Sequence, residues 1–187
     1  GLPVVSDADT GYGNVLNVRR TVRAFEKAGV AAIHIEDQES PKRCGHLSGK
    51  TLIPKSEMVD KIRAACDVRV DPDFAIIART DALTVEGFDA ALERGKAYEE
   101  AGADMIFVES PLNMEHLAAI PKAFRLPTLF NMASSGKTPH VPTDELAKLG
   151  GPVAFVTEIV APTKCAECVA MQDMFHRKAD GAVNLMC

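Results

Sequence analysis

Two rhythms alternate along the chain. Short apolar runs rich in β-branched residues fall at 2–6, 31–35, 74–78, 105–108, 127–130 and 153–156, and unbroken runs of this length read as strands buried on both faces. Between them apolar residues recur at helical spacing over 14–28, 56–66, 86–101, 114–124 and 143–149, with a final amphipathic stretch at 163–177. In the first of these, Val15, Val18, Val22 and Phe25 form one stripe while Arg19, Arg23 and Glu26 lie opposite, as in a helix packed on a sheet. Gly29, Gly102 and Gly150 stand where helices are expected to stop. Strand then helix, repeated without a linker, requires parallel strands joined by right-handed crossovers. Residues 1–187 are therefore expected to form one α/β unit.

The polar residues that close the strands choose between two parallel architectures. Asp7 and Asp9 follow the first run, Glu36 the second, Arg79 the third, Glu109 the fourth and Asn131 the fifth. A barrel aims the C-terminal ends of its strands at one centre, whereas an open doubly wound sheet spreads them along a line at roughly 4.8 Å per strand. Five such residues in succession favour a TIM-type (β/α)8 barrel. That fold takes eight strands and usually about 250 residues, against six strand runs in 187 residues. The first two β/α units are thus expected to be missing from the sequence, and a closing C-terminal helix is a further candidate absence.

Composition narrows the chemistry. Basic side chains number 21 and acidic ones 26, for a net charge of −5, and without a long basic run there is no electrostatic footprint for nucleic acid. Small-molecule chemistry is the better expectation. No run approaches the roughly 20 apolar residues of a spanning helix, and the N-terminus lacks a signal-peptide pattern. A cytoplasmic protein without a membrane partner is expected, with an organellar matrix as the other compartment. The five cysteines, Cys44, Cys66, Cys165, Cys168 and Cys187, are odd in number and unevenly placed, so reduced thiols are expected.

Asp7 and Asp9, two apart on a strand, project their carboxylates to one side, and Glu36 on the next strand can approach them. Crowded carboxylates repel unless a cation or protons sit among them, and such oxygen ligands suit Mg²⁺ or Mn²⁺; a solvated acidic rim is the alternative. The segment 38–54 has neither periodicity and is long for a connection, as lids often are. Within it Cys44 follows Lys42 and Arg43 and precedes His46, where positive charge favours a thiolate and an imidazole can exchange protons with it. Arg79, at a strand end, is suited to a bidentate clamp on a carboxylate, and His34 shares a strand face with Glu36. Other signals fade. Gly11 and Gly13 are followed by Leu16 where a dinucleotide fingerprint needs glycine, and Asn131 stands where a phosphate loop ending in Gly136, Lys137 and Thr138 needs its first glycine. Cys165 and Cys168 form a single C-x-x-C without a second ligand pair.

DADTGYGN at 7–14, IEDQ at 35–38, PKRCGHLSGK at 41–50 and ARTDA at 78–82 together resemble the isocitrate lyase and phosphoenolpyruvate mutase superfamily. The K-R-C-G-H run is similar to its lyase branch, which includes 2-methylisocitrate lyase, dimethylmalate lyase and oxaloacetate hydrolase. The resemblance implies that Asp7, Asp9 and Glu36 hold Mg²⁺ directly or through water, and that Cys44 is the catalytic acid/base with Arg43 and His46 setting its state. It implies a substrate pocket lined by Tyr12, Gly45, Arg79, Glu109, Asn131 and Thr138, cleavage of a 2-hydroxy di- or tricarboxylate, and a homotetramer that exchanges a last helix. Two departures stand out: the two leading units of the family are absent, and Ser134 occupies a position where the family commonly has an acidic residue. Oxaloacetate hydrolysis or decarboxylation on the same metal, and an inactive shortened barrel, stay open beside the lyase.

Overall fold

The computed structural model describes residues 3–132, 137–142, 145–146, 148–149, 153–157 and 184–185. Strands β1 (Val4–Asp7), β2 (Ala32–Glu36), β3 (Ala75–Thr80), β4 (Met105–Val108), β5 (Thr128–Met132) and β6 (Val153–Thr157) alternate with helices α1 (Val15–Lys27), α2 (Lys55–Val68), α3 (Phe88–Glu100) and α4 (Met114–Ala123). A two-residue strand β7 (Asn184–Leu185) pairs with β1. The sheet order is β6-β5-β4-β3-β2-β1-β7, and every pairing is parallel. From β1 to β6 each strand lies beside its predecessor without the reversal of a doubly wound sheet. The result is a curled, open part of a (β/α)8 barrel.

The two faces of the sheet explain why. One packs against the helices: Ile33, Ile35, Ile76, Ala78, Ile106, Val108 and Phe130 share a core with helix residues that include Val18, Val22, Met58, Ile62 and Leu117. The other carries Val5, Ala32, Ala75, Ile77, Met105, Phe107 and Leu129 as a separate cluster without helices, the inner lining of a barrel. Side chains alternate along a strand, so the parity of Ala75 and Ile77 continues to Arg79, that of Ala32 to His34 and Glu36, that of Met105 and Phe107 to Glu109, and that of Leu129 to Asn131. The expected polar residues therefore emerge on the inner face at the C-terminal edge.

Local chemistry sets the boundaries. Asn14 caps α1 by accepting the Leu16 amide at 2.9 Å, and Gly29 follows that helix at φ 81°. Helix α3 begins two residues later than its apolar pattern suggests, because a 3-10 turn at Ala82–Thr84 and Gly87 at φ 99° stand in the way. Strand β7 carries no recognisable strand pattern and was not expected. In the expected helix at 143–149 the amides of Glu145 and Leu146 bond to the Pro142 carbonyl; Gly150 and the expected helix at 163–177 lie outside the described residues.

Candidate active site

At the C-terminal edge of β1 and β2 three carboxylates surround one ammonium group. Lys42 Nζ lies 2.8 Å from Asp9 Oδ1, 3.1 Å from Asp7 Oδ2 and 3.8 Å from Glu36 Oε2. Asp9 is not on the strand: it has turned into the left-handed region at φ 49°, and its amide donates to Asp7 Oδ1 at 2.7 Å. The two aspartates face the same cation because of this turn, not because of strand alternation. His34 Nδ1 sits 3.7 Å from Asp7, and burial, with Asp7 opposing, lowers its pKa to about 4. Burial pushes Glu36 up to about 7 although Arg79 opposes it.

The donor set fits a hard divalent cation. All three groups offer carboxylate oxygen, and both oxygens of the fully buried Glu36 lack a hydrogen bond. Among the described residues no group of three or more His, Cys, Asp or Glu side chains is gathered closely enough to hold a metal by itself. Around an ammonium the oxygens stand at 2.8 to 3.8 Å, whereas direct Mg²⁺ ligands stand at about 2.1 Å. A bound divalent ion would need these carboxylates to move inward or water to bridge them to it.

A second charge cluster adjoins the first. Arg79 Nε lies 3.0 Å from Asp81 Oδ2 and 3.3 Å from Glu36 Oε2, and its Nη2 lies 3.4 Å from Glu109 Oε2. The guanidinium also stacks over Phe107, 5.1 Å from the ring centroid. Lys50 Nζ donates to Asp81 Oδ1 at 2.8 Å, and also to the Gly45 carbonyl. Burial alone would raise the Asp81 carboxyl, but Arg79 and Lys50 outweigh it and hold it below the ordinary value. Beneath this cluster, Asp37 accepts hydrogen bonds from Thr80 Oγ1 at 2.7 Å, Tyr98 Oη at 2.7 Å, the Asp81 amide at 2.9 Å and Arg94 Nη1 at 3.4 Å.

The loop after β2 lies over both clusters. Its base is closed by the antiparallel bridge of Gln38 with Leu52, and the Gln38 side chain grips the Arg43 backbone through two 2.9 Å hydrogen bonds. Gly45 is buried so tightly that a Cβ there would stand 2.5 Å from Glu109 Cγ and closer still to the Arg79 guanidinium. Cys44 is exposed at the loop surface. The ring nitrogens of His46 turn to other partners: Nδ1 meets Ser110 Oγ at 3.0 Å and the Lys137 amide at 3.3 Å, and Nε2 lies 3.5 Å from Glu109 Oε1. The sequence expectation of proton exchange between Cys44 and His46 is thus not built into this conformation. Arg43 is exposed, with its guanidinium near Gly49. Tyr12 is half exposed at φ 59°, and Thr138 is buried with an unpartnered hydroxyl. A cleft of about 260 Å³ opens beside the loop tip, between Leu47, Lys50, Thr84, Val85 and Lys137.

The phosphoenolpyruvate phosphomutase family model matches residues 1–175. The chain belongs to the isocitrate lyase and phosphoenolpyruvate mutase superfamily. Among its superfamily relatives, the 2,3-dimethylmalate lyase of Eubacterium barkeri is 57% identical over 150 residues, covering 80% of this chain and 52% of that protein. The 2-methylisocitrate lyase of Escherichia coli (strain K12) is 52% identical over 146 residues, covering 78% and 49%. A solved structure of oxaloacetate acetylhydrolase with the inhibitor 3,3-difluorooxalacetate superposes with a TM-score of 0.82 at 34% identity, covering 98% of this chain and 63% of that one. The chain spans about half the length of the curated relatives it matches.

Several residues of these charge clusters carry no periodic signal in the sequence pattern. In the sequence Lys42 reads only as charge beside Cys44, and periodicity gives Asp81, Lys50, Ser110 and Asp37 no place. The signal available for Asp81 was a carboxylate two positions beyond a strand-end arginine. Ser110 offers a backbone clue only after folding, at φ 57°, where a non-glycine residue is uncommon and often functional. No helix among the described residues is long and apolar enough to cross a membrane.

Proposed function

We propose that the protein is a Mg²⁺-dependent carbon–carbon lyase that cleaves a 2-hydroxy di- or tricarboxylate, of the 2-methylisocitrate or dimethylmalate kind, into an α-keto acid such as pyruvate and a second carboxylate. The observation that carries this reading is the convergence of Asp7, Asp9 and Glu36 on one cation position beneath a loop that bears the exposed thiol of Cys44. The two lyases similar to this chain over most of its length support the reaction class.

Asp7, Asp9 and Glu36 would hold Mg²⁺ (or Mn²⁺), which when bound supplies Lewis-acid stabilisation of the substrate's hydroxyl and adjacent carboxylate oxygens. Arg79 is held through Nε and Nη2 by Asp81 and Glu109, an orientation that suits its guanidinium to a substrate carboxylate. Asn131 and the unpartnered Thr138 hydroxyl supply further donors, and Tyr12 closes the rim. Gly45 lets the loop lie against Arg79 and Glu109 and exclude water. Cys44, as the thiol, delivers its proton to the carbon left electron-rich by bond cleavage; Arg43 and His46 belong to the same loop, and His46 anchors it to Glu109. Assembly as a homotetramer with exchange of the last helix, and a cytoplasmic location, are part of the same proposal.

The test is Cys44→Ser: turnover of 2-methylisocitrate or dimethylmalate should fall by at least about 10²-fold while calorimetric Mg²⁺ binding stays near wild type. Near-normal turnover would remove Cys44 from the reaction. A second reading, hydrolysis of oxaloacetate, is favoured by the superposition that spans 98% of the chain. Acetate plus oxalate as products, without pyruvate, would select it over the lyase.

A further inference from the structure

Lys42 occupies the centre of the carboxylate group more fully than any ordinary surface lysine would require. Its ammonium contacts Asp9 at 2.8 Å and Asp7 at 3.1 Å, and Glu36 lies 3.8 Å away. The neutralised groups differ in setting: Glu36 is fully buried, while the side chains of Asp7 and Asp9 are 44% and 38% exposed. The Lys42 ammonium thus serves two half-open carboxylates and shares with Arg79, at 3.3 Å, a buried one whose two oxygens lack a hydrogen bond. Lys42 rides on the loop that carries Cys44, and on that loop it is the described residue paired with the ends of β1 and β2. The other anchors of the loop go elsewhere: Gln38 to the Arg43 backbone, Lys50 to Asp81, and the Gly45 carbonyl to Ser110.

We propose that Lys42 is an intramolecular competitor of the divalent cation: its ammonium and the metal are mutually exclusive occupants of the space between Asp7, Asp9 and Glu36. The inference rests on the metal assignment given above and adds a residue that controls it. Two consequences follow by linkage. Removing the ammonium strengthens metal binding, because the metal no longer has to displace a tethered ion. Conversely, bound metal releases the Lys42 side chain from the strand ends, and the energetic cost of that release is the same in both directions. Discrimination follows as well: a weakly held ion would fail to displace the lysine, so the ammonium keeps part of the carboxylate charge neutralised until a divalent cation arrives.

The experiment uses two readouts on the full-length protein with MgCl₂ as the probe. In wild type, acetylation of each lysine by sulfosuccinimidyl acetate is mapped by peptide mass spectrometry with and without Mg²⁺. Labelling of Lys42 should rise at least threefold with saturating Mg²⁺, while exposed Lys122 and buried Lys50 keep their rates. Calorimetry on Lys42→Met should then show Mg²⁺ affinity at least tenfold above wild type. Because the first readout needs no variant, misfolding of Lys42→Met leaves it decisive. If Mg²⁺ binds wild type and Lys42 labelling is unchanged or falls, mutual exclusion is overturned, even where Lys42→Met binds more tightly through lost repulsion alone. If neither protein binds Mg²⁺, the metal assignment itself fails and the competition falls with it.

Discussion

Replacing Asp37 with alanine probes the support beneath the active site. Its side chain is fully buried and accepts from four donors: Thr80 Oγ1, Tyr98 Oη, the Asp81 amide and Arg94 Nη1. They do not suffer equally when it is removed. Arg94 retains two 2.8 Å bonds to Glu86 and one to the Ile53 carbonyl at 3.1 Å, so it is not orphaned. The Thr80 hydroxyl, Tyr98 hydroxyl and Asp81 amide are each buried and lose the acceptor they have. An unsatisfied buried donor costs about 1–3 kcal/mol; with water entering the vacated space to offset part of this, Asp37→Ala should lose about 4 kcal/mol. That is a large fraction of the roughly 5–15 kcal/mol by which domains are stable. Tyr98→Phe, which removes one donor and leaves the others served, should lose about 1 kcal/mol in the wild type and less in Asp37→Ala, where that hydroxyl has already lost its acceptor and keeps only the 3.3 Å bond it accepts from Arg94 Nη1. Urea unfolding followed by circular dichroism measures all four proteins. A loss below about 1 kcal/mol for Asp37→Ala, or an equal Tyr98→Phe penalty in both backgrounds, would show that the network is not what holds Asp81 beneath Arg79.

Three further outcomes are expected. Gly45→Ala pushes a methyl group into Glu109 and the Arg79 guanidinium, so the loop must lift; turnover should fall by about 10²-fold with Mg²⁺ affinity by calorimetry unchanged, and normal turnover would mean that the loop does not need this contact. The thiols of Cys44 and Cys66 should separate kinetically: burial pushes the half-buried Cys66 up to about 11 from 9.0, while Cys44 is exposed, so iodoacetamide at pH 8 should modify Cys44 first. The sign for stability follows from the same shift. Folding keeps the Cys66 thiol protonated, so its contribution is intact below pH 9 and is lost as pH rises toward 11; Cys66→Ala should flatten that part of a stability–pH profile, and an unchanged slope would refute the assignment.

Much of the architecture could be read before folding because it depends on parity. Once a strand with an apolar inner row is recognised, its next residue of the same parity must reach the mouth, and Glu36, Arg79, Glu109 and Asn131 all obey that rule. Asp9 reached its place for another reason, a left-handed turn that strand logic does not contain. Lys42 was illegible as a centre of the site because a four-carbon stem on an irregular loop has no periodicity to announce its target. Cys44 and His46 invited pairing by closeness in sequence, but the intervening Gly45 is pressed between Arg79 and Glu109, and the imidazole on its far side joins Ser110 and Lys137 instead. Asp37 sits next to a candidate ligand in the chain and yet points to the helix-side network, as alternation along an extended segment dictates.

The left-handed backbone at Asp9, Tyr12 and Ser110 has a bearing on how variant libraries of this protein should be interpreted. At these three positions valine, isoleucine and threonine will be depleted on conformational grounds alone, since branching at Cβ is poorly tolerated there, whereas glycine and asparagine will survive at the level of folding. Intolerance of bulky substitutions at these positions is therefore no measure of contact with a bound molecule. The informative comparison is glycine against the native residue, which keeps the main-chain shape and deletes only the functional group.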